Sequence, residues 1–450
     1  MKKIDFDNDS IKKNILQAAL PMLAAQILSL LYNIVDRIYI ARIPDMGTTA
    51  LGAVGLCFPI IMLTIAFSNL FGSGGAPLFS IKRGMSDDRA ANTIMNTSFT
   101  MVCTFAVVFT ALCMIFAKPL LIVFGASENA LKYALPYLLI YLIGTLPSMI
   151  STGMNPFINA QGYSTTGMLS VAIGALANLV LDPLFIFGFN FGIKGAAIAT
   201  VSAQALSVVF AVVLLIKKEL PFTITKKDFR LNPQCRRFLK IGLPLALQEF
   251  LTQISFLALC AFVNRLGLEA SSGYGVACKI VNFAMLVPSS LMQSMASFVS
   301  QNVGAGKPKR ARKSMLTGIG VGLSVGCLVF ILILLKGDVL AGFFSTDAGV
   351  IQKGFDYLKG FAPETLVTAV LFSMIGYFNG NNQTIWVMVQ GLIQTLLVRL
   401  PMAYFMSIQP DASLTKIGLA APVSTTVGII LNIGFFLYFT RVKKEIVSEE

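Results

Sequence analysis

Twelve segments of this chain are apolar over close to the length that crosses a bilayer as a helix. They fall at approximately 14–40, 51–80, 92–117, 132–156, 166–188, 195–216, 238–264, 271–300, 314–335, 354–378, 385–408 and 417–440. A helix rises 1.5 Å per residue, so roughly 20 apolar residues cover the hydrocarbon core. Runs such as Met101–Phe116 and Ile198–Ile216 do not alternate, which argues against a membrane β-barrel. Composition agrees: 56% of residues are hydrophobic and only 12% charged, with mean hydropathy +0.77. A soluble domain carries about 25% charged residues. The sequence predicts an all-α polytopic membrane protein of twelve transmembrane helices.

Net charge is +14, and its placement decides what it means. An even number of spans leaves both termini and the central linker on one side. That side holds 23 of the 35 Lys and Arg, in the N-terminal tail, the 82–89 and 307–313 turns, the linker and the C-terminal tail; the opposite side holds 8. The positive-inside rule therefore places both termini in the cytoplasm. The basic excess reads as topology, and no nucleic-acid partner is expected. The acidic-basic N-terminal tail leads straight into the first span, so no cleavable signal is expected.

Seven cysteines show no CxxC spacing, and six fall within spans, as small buried hydrophobes do. The chain has no histidine, which removes the usual zinc sites and His-based triads. An intramembrane enzyme lacks its base here, and none is expected. The stretch GAGKPKRARK (304–313) lacks the Walker spacing and reads as a basic cytoplasmic turn, so direct drive by ATP is not expected.

The two halves align with a shift of roughly 220 residues. LPMLAAQ (20–26) returns as LPLALQE (243–249), pairing Pro21 with Pro244 and Gln26 with Glu249. PFINAQG (156–162) matches GYFNGNN (376–382), and DPLFIFG (182–188) matches LPMAYFM (400–406). Six spans per half give two six-helix lobes, residues 1–216 and 238–450, joined by a cytoplasmic linker at 217–237. Both lobes enter the membrane in the same sense, so a pseudo-twofold along the membrane normal is expected. Transporters use such parallel repeats to enclose a cavity between rocking lobes. Pro21 and Pro244 each remove a backbone donor early in the first span of a lobe, marking candidate hinges.

Two carboxylates, Asp36 and Asp182, stand inside apolar segments of the first half, where the second half has none at the matching places. A charge there costs roughly 2.5–3.5 kcal/mol even on the lenient insertion scale. Asn178 and Asp182 are four apart and share a helix face. With Thr200 on the next span they offer carboxylate, amide and hydroxyl oxygens, a set that suits a hard cation such as Na⁺. Two carboxylates sharing one proton fit equally well. The plain structural alternatives are pairing of Asp36 with Arg37 or Arg42, and Asp182 as part of a helix-breaking Asp-Pro.

The twelve spans, the span-one proline followed fifteen residues later by Asp36, and NLVLDP (178–183) followed by Thr200 resemble the multidrug and toxic compound extrusion family, in particular its prokaryotic DinF-like branch. The likeness covers nearly the whole chain. It implies a bacterial inner-membrane exporter driven by Na⁺ or H⁺, acting on organic cations or amphipathic compounds, with no other cofactor. It also implies that Asp36, Asn178, Asp182 and Thr200 form the N-lobe cation site, which would be the metal site if Na⁺ is the ion, with Tyr32 in the cavity beside it. Gln26, Glu249 and Glu364 are the further candidates for the substrate cavity; Glu249 could instead pair with Lys279 or Arg399. Each chain holds both lobes, so a monomer surrounded by lipid is expected. The alternative is a flippase of lipid-linked oligosaccharide or lipid within the same superfamily, which would need a strongly cationic cavity.

Overall fold

A computed structural model describes residues 4–6, 8–44, 46–217 and 233–448. All of its regular structure is helical. Within the bilayer only a helix satisfies its own backbone without a neighbour, so apolar runs of this length are resolved as helices. Among the described residues ten helices are long and apolar enough to cross a membrane, and two bent pairs raise the number to twelve. The chain divides into two compact units: Met1–Asp9 with Gln17–Ala246, and Ser10–Leu16 with Leu247–Glu450.

The first half contains α1 (Ile11–Ala41), α2 (Gly47–Gly84), α3 (Asp88–Ile115), α4 (Ala117–Val123), α5 (Glu128–Ile143), α6 (Thr145–Ala160), α7 (Ser164–Pro183) and α8 (Ile193–Lys217). The second half contains α9 (Pro233–Asn264), α10 (Leu268–Gly304), α11 (Pro308–Gly342), α12 (Ala348–Phe361), α13 (Glu364–Gly380), α14 (Thr384–Leu392), α15 (Leu400–Ile408), α16 (Leu414–Gly418) and α17 (Ala420–Ser448). Each unit repeats one packing scheme: α2 lies against α3, α5 and α6, as α10 lies against α11, α12 and α13. Most of the expected linker, residues 218–232, lies outside the described residues. Its last residues, from Pro233, already belong to α9.

The fourth and tenth spans are not straight. α5 and α6 meet at 54°, and α12 and α13 at 49°. Proline explains both: Pro147 in the first turn of α6 and Pro363 before α13 have no N–H to give the carbonyl four residues back. Side-chain caps start the helices that follow polar turns. Asp87 accepts from Ala90 N at 3.1 Å, and Asp347 accepts from Gly349 N and Val350 N at 2.8 and 3.1 Å. α1 continues through Pro21 and α9 through Pro244 without losing helical assignment.

A second irregularity positions the candidate site. After Asp182-Pro183 the helix widens into a π turn, Leu184–Gly188. Pro183 withdraws one donor from the ladder, and the wider turn carries the chain across the gap. Gly195, in the first turn of α8, rests directly on the Phe185–Ile186 peptide of this turn. A methyl group at Gly195 would stand 2.6 Å from the Phe185 carbonyl, closer than side chains pack. The missing side chain is what lets α8 approach α7 here. The second half has its own π turn, Ile393–Arg399, between α14 and α15.

Candidate cation-coupling site

Asp182 occupies the last turn of α7 and is 0% exposed. Asn178, one turn earlier, is also buried and donates from Nδ2 to Asp182 Oδ1 at 3.2 Å and to Thr200 Oγ1 at 3.5 Å. Thr200 in turn donates to the Ala196 carbonyl at 3.0 Å, which fixes its rotamer on α8. Asp36 is half-buried on α1, with its carboxyl within hydrogen-bonding reach of Asp182. The structure thus brings all four residues of the expected site together from three helices. Tyr32, one turn before Asp36, is close enough for both carboxyls to act on its hydroxyl.

The unsatisfied atoms say what this region can hold. Asp36 Oδ1, Asn178 Oδ1, Asp182 Oδ2 and Gln204 Oε1 are all buried acceptors with no hydrogen-bond donor. A buried polar atom without a partner costs about 1–3 kcal/mol, and more if charged. Two ionised carboxylates at this separation also repel strongly unless a proton or a cation lies between them. Oxygen acceptors with two carboxyls among them fit a hard monovalent cation or a proton.

Three residues of this region were not read from the sequence. Gln204 lies one turn beyond Thr200 on α8, a spacing that would have found it. It is hydrogen-bonded to Tyr141, which is also bonded to Ser148. Tyr137, one turn before Tyr141 on α5, is buried where Asp36 and Asp182 act on it electrostatically.

The other candidates divide. Gln26 and Pro21 are half-buried on α1, and Pro244 is half-buried on α9. Glu249 is exposed on α9. Glu364 begins α13 and is only 8% exposed. Thr425 Oγ1 donates to Glu364 Oε1 at 2.8 Å, Gln394 Nε2 donates to Thr425 at 3.0 Å, and Gln390 Nε2 donates to Gln394 at 2.6 Å. This line of polar side chains crosses from α17 through the second π turn to α14. Glu364 Oε2 and Gln390 Oε1 have no donor. Arg399 acts on Glu364 electrostatically, is hydrogen-bonded to Tyr357, and lies over the Phe256 ring at 5.0 Å. Lys279 lies 5.4 Å from the centroid of Phe344. All seven cysteines are free.

Paired carboxyls inside the spans and a repeated six-span unit fit a membrane transporter. The MatE family profile matches residues 21–184 and 244–405, once in each half, and the chain belongs to that family. It is similar to the multidrug export protein MepA of Staphylococcus haemolyticus, at 24% identity over 86% of each chain. It is also similar to the probable multidrug resistance protein YoeA of Bacillus subtilis, at 23% identity over 94% of this chain and 93% of that one. A solved MATE protein in complex with MaD3S shares the fold: TM-score 0.91, 21% identity, 99% of both chains.

Proposed function

We propose that this protein is a secondary-active multidrug exporter in which inward movement of Na⁺ or H⁺ drives organic cations or amphipathic compounds outward. The observation that carries the proposal is the group of unsatisfied oxygens around Asp36 and Asp182. With a cation or proton bound, the two carboxyls tolerate each other and Asp36 on α1 stays beside Asp182 on α7. Without it, like charges in a low dielectric push those helices apart. That gives one region two arrangements that differ in ion load. Coupling follows if substrate favours the arrangement that the ion disfavours.

Asp36 and Asp182 bind the ion in this account, and Asn178 and Thr200 complete its surroundings, as Na⁺ ligands where Na⁺ is the ion. Tyr32, Gln26, Glu249 and Glu364 contact substrate. Pro21 and Pro244 allow the first helix of each lobe to bend. The lobes are residues 1–216 and 238–450, and the protein works as a monomer of the DinF-like branch in the bacterial inner membrane, both termini cytoplasmic. A flippase for lipid-linked pyrophosphate would need free cations at mid-membrane. Here two cations stand in the spans, Arg399, which acts on the buried carboxyl of Glu364, and Lys279, which lies 5.4 Å from the Phe344 ring centroid.

The test is Asp36→Asn and Asp182→Asn in proteoliposomes. Both variants should insert and purify like wild type yet lose ion-driven efflux of a cationic dye. Normal efflux by either one sinks the assignment.

A further inference from the structure

Corresponding turns of the two units differ in their own complement of carboxylates. Between α2 and α3, Lys82 Nζ lies 3.6 Å from Asp87 Oδ2, and Arg83 Nη1 lies 2.7 Å from Asp88 Oδ1. Between α10 and α11 the turn carries Lys307, Lys309, Arg310, Arg312 and Lys313, and its sequence from Gly304 to Lys313 has no carboxylate. The positive-inside rule asks for cations on this side, but not for their arrangement along one helix face.

That arrangement is specific. Lys309, Arg312 and Lys313 stand at i, i+3 and i+4 on α11, all exposed, and Leu316 at i+7 is 62% exposed. The same face continues through Gly320, half-buried Leu323, Ser324, whose hydroxyl is turned onto the Gly320 carbonyl at 2.9 Å, and exposed Cys327. Three cations therefore stand at the end of a mostly apolar lane that runs to about mid-membrane. Arg312 is held toward α17, its guanidinium 5.6 Å from the Phe436 centroid and hydrogen-bonded to Tyr377. On that helix Leu437 and Tyr438 are exposed. Next to them the chain's single Trp, Trp386, stacks on Phe435 at 4.3 Å and donates its indole N–H to Asn432 at 2.8 Å. Aromatic groups of this kind sit at headgroup level.

We infer that this face of α11, with the adjoining end of α17, binds an anionic phospholipid. Its phosphodiester is held by Lys309, Arg312 and Lys313, and its acyl chains lie along Leu316, Leu323 and Cys327, within the reach of one leaflet. Free phosphate would use the cations but gain nothing from the lane; a lipid uses both. Each Lys or Arg near an anionic headgroup contributes appreciably to its retention, and three act together here.

The test is native mass spectrometry of the full chain in detergent with equimolar phosphatidylglycerol and phosphatidylcholine. Wild type should retain phosphatidylglycerol about tenfold over phosphatidylcholine. K309Q/R312Q/K313Q should lose that preference. The charge-keeping K309R/K313R variant should retain it, as should Lys82→Gln in the self-neutralised turn. Arg312→Gln alone should weaken it, which covers failure of the triple variant to insert. The inference is overturned if wild type shows no preference or if the triple variant keeps it. It is also overturned if millimolar inorganic phosphate displaces phosphatidylglycerol as well as excess lipid does, since the site would then belong to free phosphate.

Discussion

Gly195→Ala should damage the proposed cation site without touching any of its proposed ligands. The added methyl would lie 2.6 Å from the carbonyl carbon and oxygen of Phe185 and 2.9 Å from the Ile186 nitrogen. Ordinary contact begins near 3.4 Å, so α8 and the π turn must separate by about 0.8 Å. Neither side yields easily. The turn is tied down by Phe191 N–H to the Phe185 carbonyl at 3.1 Å and by Gly192 N–H to the Ile186 carbonyl at 3.3 Å. Overpacking of this kind costs about 1–3 kcal/mol. Thr200 sits on α8, and Asp182 lies just before the π turn, so the shift opens the site between them. The Asn178–Thr200 contact, already 3.5 Å, is the first to break. Misplacing a functional group by about 1 Å costs on the order of 10²-fold. Gly188→Ala is the control, because its methyl would meet nothing closer than Leu184 Cδ1 at 3.4 Å. Thermal unfolding in detergent and initial dye-efflux rates from proteoliposomes read the two effects. Gly195→Ala should unfold several degrees lower and lose about 10- to 100-fold in ion-driven rate, while Gly188→Ala matches wild type. Equal behaviour of the two variants in both assays would refute the role given to this contact.

Thr200→Ser keeps the hydroxyl and should keep ion-driven export, whereas Thr200→Val should lower it; indistinguishable rates would remove Thr200 from the site. Gln204→Leu deletes the unsatisfied acceptor one turn beyond Thr200 and should weaken ion dependence about five- to tenfold, read from the half-saturating ion concentration for efflux. Thr425→Val takes the 2.8 Å hydroxyl donor from Glu364 Oε1 and should cost about 1.5–3 kcal/mol in unfolding experiments, with Thr425→Ser restoring most of it. Lys416 holds the exposed Asp411 carboxyl below the usual carboxylate range. Because the folded value is the lowered one, any stabilisation is present at neutral pH and disappears as pH falls through that value. Solvent screens this pair, so Asp411→Asn should leave thermal unfolding at pH 7 unchanged.

Spans were legible because hydrocarbon length is a property of the sequence alone, and each expected segment coincides with a helix or a bent pair. The bends at Gly144–Thr145 and Phe361–Glu364 were not read, although Pro147 and Pro363 mark them. Hydropathy runs smoothly through both sites and hides a break that costs no apolar residue. Asp36, Asn178, Asp182 and Thr200 stood out because polar atoms are expensive in a bilayer, and two of the four, Asn178 and Asp182, share a helix face. Tyr137 and Tyr141 did not, since a tyrosine on an apolar helix reads as packing until a carboxyl is found beside it. Glu364 could be singled out, but its line of partners through Thr425, Gln394 and Gln390 joins positions far apart in sequence. Only tertiary structure brings those together.

The most direct test of ion coupling at Asp36 and Asp182 is dye-cation efflux from proteoliposomes under separately imposed Na⁺ and pH gradients, for wild type and Asp36→Asn. The account predicts export driven by at least one gradient in wild type and by neither in the variant. Export by Asp36→Asn at the wild-type rate, or wild-type export indifferent to both gradients, would contradict it.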